Sequence, residues 1–325
     1  MNASNGLICA WILDGEGGGR QVGWDEVGHY RPSGNDWLWL HFDYSSPQVQ
    51  EWLHAHSGLS DLTVEALSQT ETRPRVVPAD SGLMVFLRAV NLNPGAEPDD
   101  MVSARLWLDE RRVITLRHRR LVSVDDLRMA LAAGKGPASP GEFLSLFVDG
   151  LLDRVDTVVE VIYGHIDDLE TADQPTSIPQ QRRQLAEMRR QAIALRRFLA
   201  PQREALNRLT AEHTQILNEQ NRLQLREHFD RLTRIVEDLD AARERAAVAQ
   251  ESLASLMAEQ TNQRMFLLSI VAAIFLPLSF ATGLLGINVG GIPGTENPLA
   301  FTTVVALLLV LGVGLWIYFR SRDWF

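Results

Sequence analysis

The sequence predicts an α/β domain followed by a long helical stalk and two C-terminal transmembrane helices. Short strand-like runs alternate with helical stretches up to about residue 140, and strand signals cease from Gly141 onward. A helical pattern without Pro or Gly then leads into the first of two long, uncharged apolar runs. These observations together indicate a membrane protein whose soluble part comes first.

Residues 1–140 are predicted to form the cytosolic α/β domain. Helices are expected over 47–56 and 61–67. A hairpin is expected at Asp109-Glu110, although the strong Asn-Gly turn signature is missing. The predicted strands are Leu7–Leu13, Trp37–Phe42, Leu83–Leu92, Val102–Leu108 and Arg111–His118.

Residues 141–220 are predicted to form a cytosolic helical hairpin. Its first helix covers 143–169 and ends in the polar stretch 170–176, after which Ser177-Ile178-Pro179 starts the second helix. His165 and Asp168 lie on one face near the tip, which makes them a candidate regulatory metal site. A solvated acidic tip explains the same residues.

The stalk helix is predicted over 221–264 and continues without a break into the membrane. From Asn221 to Leu285 it would be roughly 95 Å long. Its apolar seam steps alternately by three and four residues, and we expect a single chain to be unable to cover it. The sequence therefore predicts a homo-oligomer with these helices as its central stalk. The seam consists of Phe229, Leu232, Val236, Leu239, Ala242, Ala246, Ala249, Leu253 and Leu256.

Two charge-free runs of 21 and 22 residues, 265–285 and 298–319, predict transmembrane helices 1 and 2. Each can cross a hydrocarbon core of about 30 Å as a helix. They frame the loop 286–297, which has no Lys or Arg, whereas Arg264 precedes the first span and Arg320 follows the second. The positive-inside rule therefore places both termini, including the tail 320–325, in the cytoplasm. No signal peptide is recognised at the start of the sequence.

One face of the stalk helix continues into the first span as a stripe of small polar and apolar residues. The pattern leaves two interpretations open: small residues that let helices pack closely, or the wall of a pore. Pro277 frees a backbone carbonyl, which neighbouring helices or pore water can bond. In the second interpretation the pore-lining residues are Asn262, Met265, Ser269, Ala272, Leu276, Ser279 and Gly283.

The loop begins with Gly286-Ile287-Asn288. The Asn288 amide oxygen is a neutral acceptor, which suits a cation that keeps its water shell, and a ring of copies would present several such oxygens at one level. A plain extracellular turn uses the same residue types. Glu296 is the only carboxylate of the loop, and a ring of copies would attract cations to the mouth.

The composition argues against several classes of protein. A net charge of −10 is unusual for a nucleic-acid binder, so no nucleic-acid partner is expected. Cys9 is the only cysteine, which excludes a disulfide framework and a cysteine zinc cage. There is no catalytic arrangement and no phosphate-binding loop before a helix and Lys, so neither an enzyme nor a resident cofactor is expected.

A two-span hairpin whose first helix ends in Gly-x-Asn, behind a long helix and an α/β domain, resembles the CorA family of divalent-cation transporters. Leu285-Gly286-Ile287-Asn288 departs from the family's usual Tyr-Gly-Met-Asn. This departure resembles the branch of ZntB zinc transporters. The stretches that agree with that branch are Phe275-Leu276-Pro277, Thr282-Gly283-Leu284, 289–294, Arg73-Pro74-Arg75 and 196–203.

The resemblance implies a homopentameric funnel in a bacterial inner membrane, with the long helix and first span around the conduction path and the second span outside. It implies that Gly286, Ile287 and Asn288 form the selectivity filter at the entrance. It also implies Zn²⁺ uptake coupled to protons, with Co²⁺, Ni²⁺, Cd²⁺ and Mg²⁺ as further candidate ions. The direction of transport is left open by the residues.

The spans and the loop contain neither His nor Cys, the ligands that dehydrated zinc favours. The residues therefore predict passage of a hydrated divalent ion, and zinc comes from the resemblance. Two alternatives stay open: a CorA-type Mg²⁺/Co²⁺ channel, and a membrane-anchored cytosolic sensor or scaffold. Ile287 in place of Met argues against the first, and the stripe of small residues argues against the second.

Overall fold

The computed structural model describes residues 6–97, 99–171, 177–212, 214–287, 292, 294 and 296–321. Two compact units make up the chain, Met1–Gln250 and Glu251–Phe325. The boundary between them falls inside the predicted stalk helix.

The first unit contains a seven-stranded mixed sheet among its described residues. The strands are β1 (Leu7–Leu13), β2 (Gly19–Val22), β3 (Trp37–Asp43), β4 (Arg75–Ala79), β5 (Gly82–Ala89), β6 (Val102–Leu108) and β7 (Arg112–Arg117). Their spatial order is β2-β1-β3-β7-β6-β5-β4. The pair β3 and β7 is parallel, and the other neighbouring strands are antiparallel.

The helices account for the rest of the regular structure. They are α1 (Trp24–Val27), α2 (Pro47–Ala55), α3 (Asp61–Ser68), α4 (Val122–Ala132), α5 (Pro140–Thr171), α6 (Ile178–Ala211), α7 (Glu219–Leu285) and α8 (Ala300–Ser321). The predicted fold class, an α/β domain followed by a long helix and two apolar C-terminal helices, is confirmed.

Strand β3 shows why the sheet is buried on both faces. Side chains alternate along a strand, so Leu38 and Leu40 lie on the face that packs against Leu53 of α2. Trp39 lies on the other face, where its ring is 5.0 Å from the ring of Phe143 in α5. The strand is therefore apolar at successive positions and not only at alternate ones.

The five predicted strands are confirmed, with ends that shift by up to three residues. The predicted hairpin at Asp109 is also confirmed, because β6 and β7 pair antiparallel. The sequence analysis missed the edge strands β2 and β4. Strand β4 contains Pro78, whose missing N–H is tolerated because the strand lies at an edge of the sheet.

The apolar seam of α7 is covered within the single chain over its first part. Leu232, Val236, Leu239, Ala242 and Ala246 are buried without a second copy. The expectation that a single chain cannot cover the seam was wrong for this part, because α5 and α6 lie beside α7. From Glu251 onward the helix is mostly exposed, so a requirement for partners remains only there.

Ion pairs fix α7 against α5. The guanidinium of Arg231 lies 2.7 Å from Asp153 and 2.9 Å from Asp156. Further along, Arg245 lies 3.0 Å from Asp167. The two arginines each bond to carboxylates spaced three or four residues apart on α5. This pairing holds the soluble part of α7 in register with the helical hairpin.

Candidate ion-conduction path

Among the described residues, α7 and α8 are the helices long and apolar enough to cross a membrane. Helix α8 has no buried residue, and the apolar half of α7 has only Ile270 in that class. Neither span carries Asp, Glu, Lys, Arg or His. Such exposure of apolar side chains is expected where lipid or other protein surrounds them.

Within the second unit, α7 packs against α8 along one face. A Cβ placed on Gly312 of α8 would lie 3.7 Å from Cδ1 of Leu278. In the apolar half of α7 the partly or fully covered side chains are Ile270, Ile274, Pro277, Leu278 and Ala281. The corresponding positions of α8 recur every three or four residues: Ala300, Val304, Leu308, Gly312, Leu315 and Phe319.

The predicted pore-lining stripe lies on the other side of α7. Its seven residues, from Asn262 to Gly283, are all exposed within the single chain. Ala272 of the stripe and Ala281 of the covered face are nine residues apart, about two and a half turns, and so point in opposite directions. Leu276 is 76% exposed although its side chain is large and apolar. The structure thus gathers the stripe on one face of α7, directed away from α8.

The hydroxyl groups along this part of α7 donate to its own backbone. Ser269 Oγ donates to Met265 O at 2.9 Å, and Thr282 Oγ1 donates to Leu278 O at 3.0 Å. A hydroxyl that donates in this way keeps its oxygen lone pairs as acceptors. The stripe can therefore offer Ser269 oxygen to a cation or to its water shell.

Gly286 ends α7 at a place with little room for a side chain. Its N–H donates to Thr282 O at 2.9 Å, and a Cβ on Gly286 would approach the same oxygen to 3.1 Å. Ile287 follows and is 48% exposed. Asn288 and residues 289–291 lie outside the described residues, so the predicted role of Asn288 stays a prediction.

The other end of the loop is anchored by Asn297. Its Oδ1 accepts from Leu299 N at 3.0 Å and its carbonyl accepts from Ala300 N at 3.0 Å, at the start of α8. Glu296 precedes it and is exposed. The carboxylate that was expected to attract cations therefore lies at a solvent-facing position beside the start of the second span. Residues 322–325 of the predicted tail 320–325 lie outside the described residues.

His165 and Asp168, the candidate regulatory metal site, are exposed near the end of α5. The neighbouring Asp167 and Glu170 are already bonded to Arg245. Within the part of the chain that the structure describes, no group of three or more His, Cys, Asp and Glu converges as a metal site would require. The assignment of His165 and Asp168 to a metal site therefore stays a prediction.

The sequence analysis missed the residues that position α7. Arg231 and its carboxylate partners were not singled out, although Asp149, Asp153 and Asp156 recur at helical spacing along α5. That spacing was a usable signal, because residues three and four apart share a helix face.

Comparison with models of protein families identifies the family of the chain. The family model for CorA-like Mg²⁺ transporter protein matches residues 34–321. The chain belongs to the CorA-like family. The match includes most of the sheet, the helical hairpin and both apolar helices.

Relatives of this CorA-like chain are transporters. It is 44% identical to the divalent cation transporter CmaX of Pseudomonas aeruginosa, over 98% of this chain and 97% of that protein. It is 37% identical to the zinc transport protein ZntB of Yersinia enterocolitica, over 98% of this chain and 95% of that one. The solved structure of full-length CmaX superimposes with a TM-score of 0.87 at 42% identity, covering 99% of each chain.

The CorA-like chain is therefore a divalent cation transporter, and the resemblance inferred from the Gly-x-Asn hairpin is confirmed. The family consists of ion transporters, which agrees with the prediction that the chain is not an enzyme. The relatives include a zinc transport protein and a transporter named only for divalent cations. They therefore identify the transported ion as a divalent cation without identifying the metal.

Proposed function

We propose that the protein carries Zn²⁺ across a bacterial inner membrane, through a pore at the centre of a homopentamer. The observation that carries this proposal is the stripe of α7. Seven uncharged residues share one exposed face, directed away from α8, and six of them lie within the charge-free span 265–285. Five copies of this face would enclose a path, with α8 on the outside of each copy.

The lining suits an ion that keeps its water shell. Ser269 and Ser279 supply hydroxyl oxygens, and Met265 and Leu276 supply apolar constrictions between them. Zn²⁺ without its water shell would demand His, Cys or carboxylate ligands, and neither span contains one. The filter Gly286-Ile287-Asn288 would meet the hydrated ion first, with Glu296 raising the local cation concentration.

The charges at the ends of the spans set the proposed topology. Arg264 and Arg320 flank the two spans on one side, and the loop between them has no Lys or Arg. Both termini are then cytoplasmic and the filter faces the periplasm. A multi-pass protein with this topology would receive its ion from outside the cell.

The driving force in this proposal is the membrane potential together with a proton gradient. A potential of 100 mV favours entry of a divalent ion by about 4.6 kcal/mol, at 2.3 kcal/mol per charge. Neither span contains Asp, Glu, His, Lys, Arg or Cys, so coupling would involve water or residues of the cytosolic unit.

Metal flux into proteoliposomes tests the proposed cargo and its coupling. We expect Zn²⁺ to enter faster than Mg²⁺, and faster when the outside is more acidic than the inside. Co²⁺ and Ni²⁺ measured under the same conditions complete the comparison, and empty liposomes give the background.

If Mg²⁺ crossed faster than Zn²⁺, the protein would instead be assigned to the CorA-type Mg²⁺/Co²⁺ channels. Equal Zn²⁺ rates with and without the pH gradient would remove the proton coupling. If none of the four ions crossed, the pore itself would be contradicted and a membrane-anchored sensor would be the better account.

A further inference from the structure

A cleft of about 530 Å³ lies in the first unit, between the loop after α3, the segment before β6, and α6. Two stretches that the transport function does not use meet in its wall. Arg73 and Pro74 come from one, and Arg197, Phe198 and Pro201 come from the other. They are more than a hundred residues apart in the sequence, so only the fold brings them together.

The floor of the cleft is built around Arg88. Its backbone N–H donates to Oε1 of the buried Gln202 at 2.6 Å. Its guanidinium donates to Met101 O at 3.1 Å and to Thr72 O, and lies 4.7 Å from the ring centre of Phe198. The cation is thereby held in a fixed position between the sheet and α6.

Arg88 still has a donor without a partner. Its Nε is buried and makes no hydrogen bond within the described residues. Desolvation lowers the pKa of Arg88 from its ordinary value, which is the direction that a bound anion would reverse. The Nε of Arg128 is likewise buried without a partner among the described residues, so the charge balance of the cleft is needed to identify a ligand.

Most of the acidic groups around the cleft are already neutralised. Asp99 lies 3.2 Å from Arg190, and Asp100 is paired with Arg119. Glu71 is the remaining carboxylate in the wall. The negative charges of Asp99 and Asp100 therefore do little to cancel the cations that face the cavity.

Two of those cations have no acidic partner among the described residues. Arg73 and Arg197 are both exposed at the cleft, and the described ion pairs of the chain do not include either. Together with Arg88 they bring three positive charges to the cleft, and Glu71 brings one negative charge. The uncompensated charge is therefore about two positive units. A cavity with that charge and volume fits a small organic dianion.

We propose that this cleft binds a phosphomonoester, such as a nucleoside monophosphate, with the phosphate held by Arg73, Arg88 and Arg197. Guanidinium groups bind phosphate oxygens through paired, charge-assisted hydrogen bonds. A phosphomonoester is mostly a dianion at pH 7, since its second pKa is about 6. The volume left beside the phosphate accommodates the organic part of the ligand.

Calorimetric titration of the full chain in detergent tests the site, with AMP as the probe. Metal is removed beforehand, so the measurement does not depend on transport. We expect saturable binding of AMP, displacement by inorganic phosphate, and no binding of adenosine. The affinity should fall below about pH 6, where the phosphate takes up its second proton.

The variant Arg73→Gln/Arg197→Gln should bind AMP about tenfold more weakly or worse, because two charge-assisted contacts are lost. Arg203→Gln is the matched control: it removes a charge from the same helix, where Arg203 pairs with Glu204 outside the cleft. Its affinity should stay within about twofold, because the Arg203 charge is paired with Glu204 and does not line the cleft.

Three results would overturn the proposal. The first is the absence of saturable AMP binding. The second is an equal loss of affinity in Arg203→Gln, which would indicate general attraction to a basic surface. The third is a lower oligomeric mass of Arg73→Gln/Arg197→Gln than of the parent protein, which would assign these arginines to contacts between copies.

Discussion

An Asn288→Ala variant is expected to lose Zn²⁺ flux down to the rate of empty liposomes while its oligomeric mass stays unchanged. In the proposed pore, Asn288 supplies the ring of amide oxygens that the hydrated ion meets first. Alanine removes all of these acceptors at once and puts no other polar group in their place. The measurement is zinc flux into proteoliposomes, together with the mass of the detergent-solubilised protein.

Asn297→Ala is the matched control in the same loop. Asn297 accepts a hydrogen bond from Leu299 N just before α8, so its loss should cost about 1 kcal/mol of stability, the usual net value of one hydrogen bond. Flux should stay within about twofold of the parent if the pore has no direct need of this side chain. Transport that survives Asn288→Ala would contradict the filter assignment.

A Gly283→Leu variant is expected to block flux almost completely. Gly283 lies on the stripe, and among the described residues no neighbouring atom comes within 4 Å of a Cβ placed there. The substitution should therefore fold, because leucine is a better helix former than glycine. In the proposed pentamer it would add a ring of leucines near the mouth, which excludes water and hence a hydrated ion.

Gly314→Leu provides the control for Gly283→Leu. Gly314 is in α8 and is exposed, and no atom of another described residue that could obstruct a side chain lies within 4 Å of an added Cβ. The added bulk should face lipid there, so flux should change little. Loss of flux in both variants to the same degree would indicate a general effect on the membrane helices and would contradict the pore-lining assignment.

Helix α7 was the element that the sequence predicted best. Its predicted start at Asn221 lies within two residues of the observed Glu219, and its end at Leu285 is confirmed. The reason is local: no Pro or Gly interrupts the pattern before Pro277, and Gly286 ends it. Continuous hydrophobic periodicity over many turns is the strongest signal that a single sequence carries.

What covers the helix could not be predicted in the same way. An apolar residue such as Leu239 gives the same pattern whether its partner is α5 of its own chain or a helix of another copy. The structure decides for the part up to Ala246, which is buried within the chain. The stripe of α7 is equally ambiguous in the sequence, because its three- and four-residue steps fit both close helix packing and a pore wall, and only the structure shows that α8 lies against the opposite face.

The pairing of strands in the sheet is a second feature that the sequence could not predict. The parallel pairing of β3 and β7 brings Trp39 beside Val113, across a long stretch of sequence with no local signal for it. Strand β2 is too short to stand out. The cleft around Arg88 could not be predicted either, because its walls come from three segments that are far apart in the sequence. The sequence showed only that two of these segments are rich in arginine.

The most direct measurement of the pore concerns Ala272 and Ala281. Cys9 is the only native cysteine, and burial raises its pKa to about 12, so it should not react with thiol reagents. Ala272→Cys and Ala281→Cys therefore place one reactive thiol each, on opposite faces of α7. The variants are treated in proteoliposomes with a positively charged methanethiosulfonate reagent, and zinc flux is recorded.

The account predicts that Ala272→Cys is modified and that its flux is blocked, whereas Ala281→Cys, which faces α8, keeps its flux. Ala281 is closer to the loop than Ala272, so simple proximity to the outside solution would favour the reverse. Block of Ala281→Cys without block of Ala272→Cys would contradict the central claim that the stripe of α7 lines the conduction path.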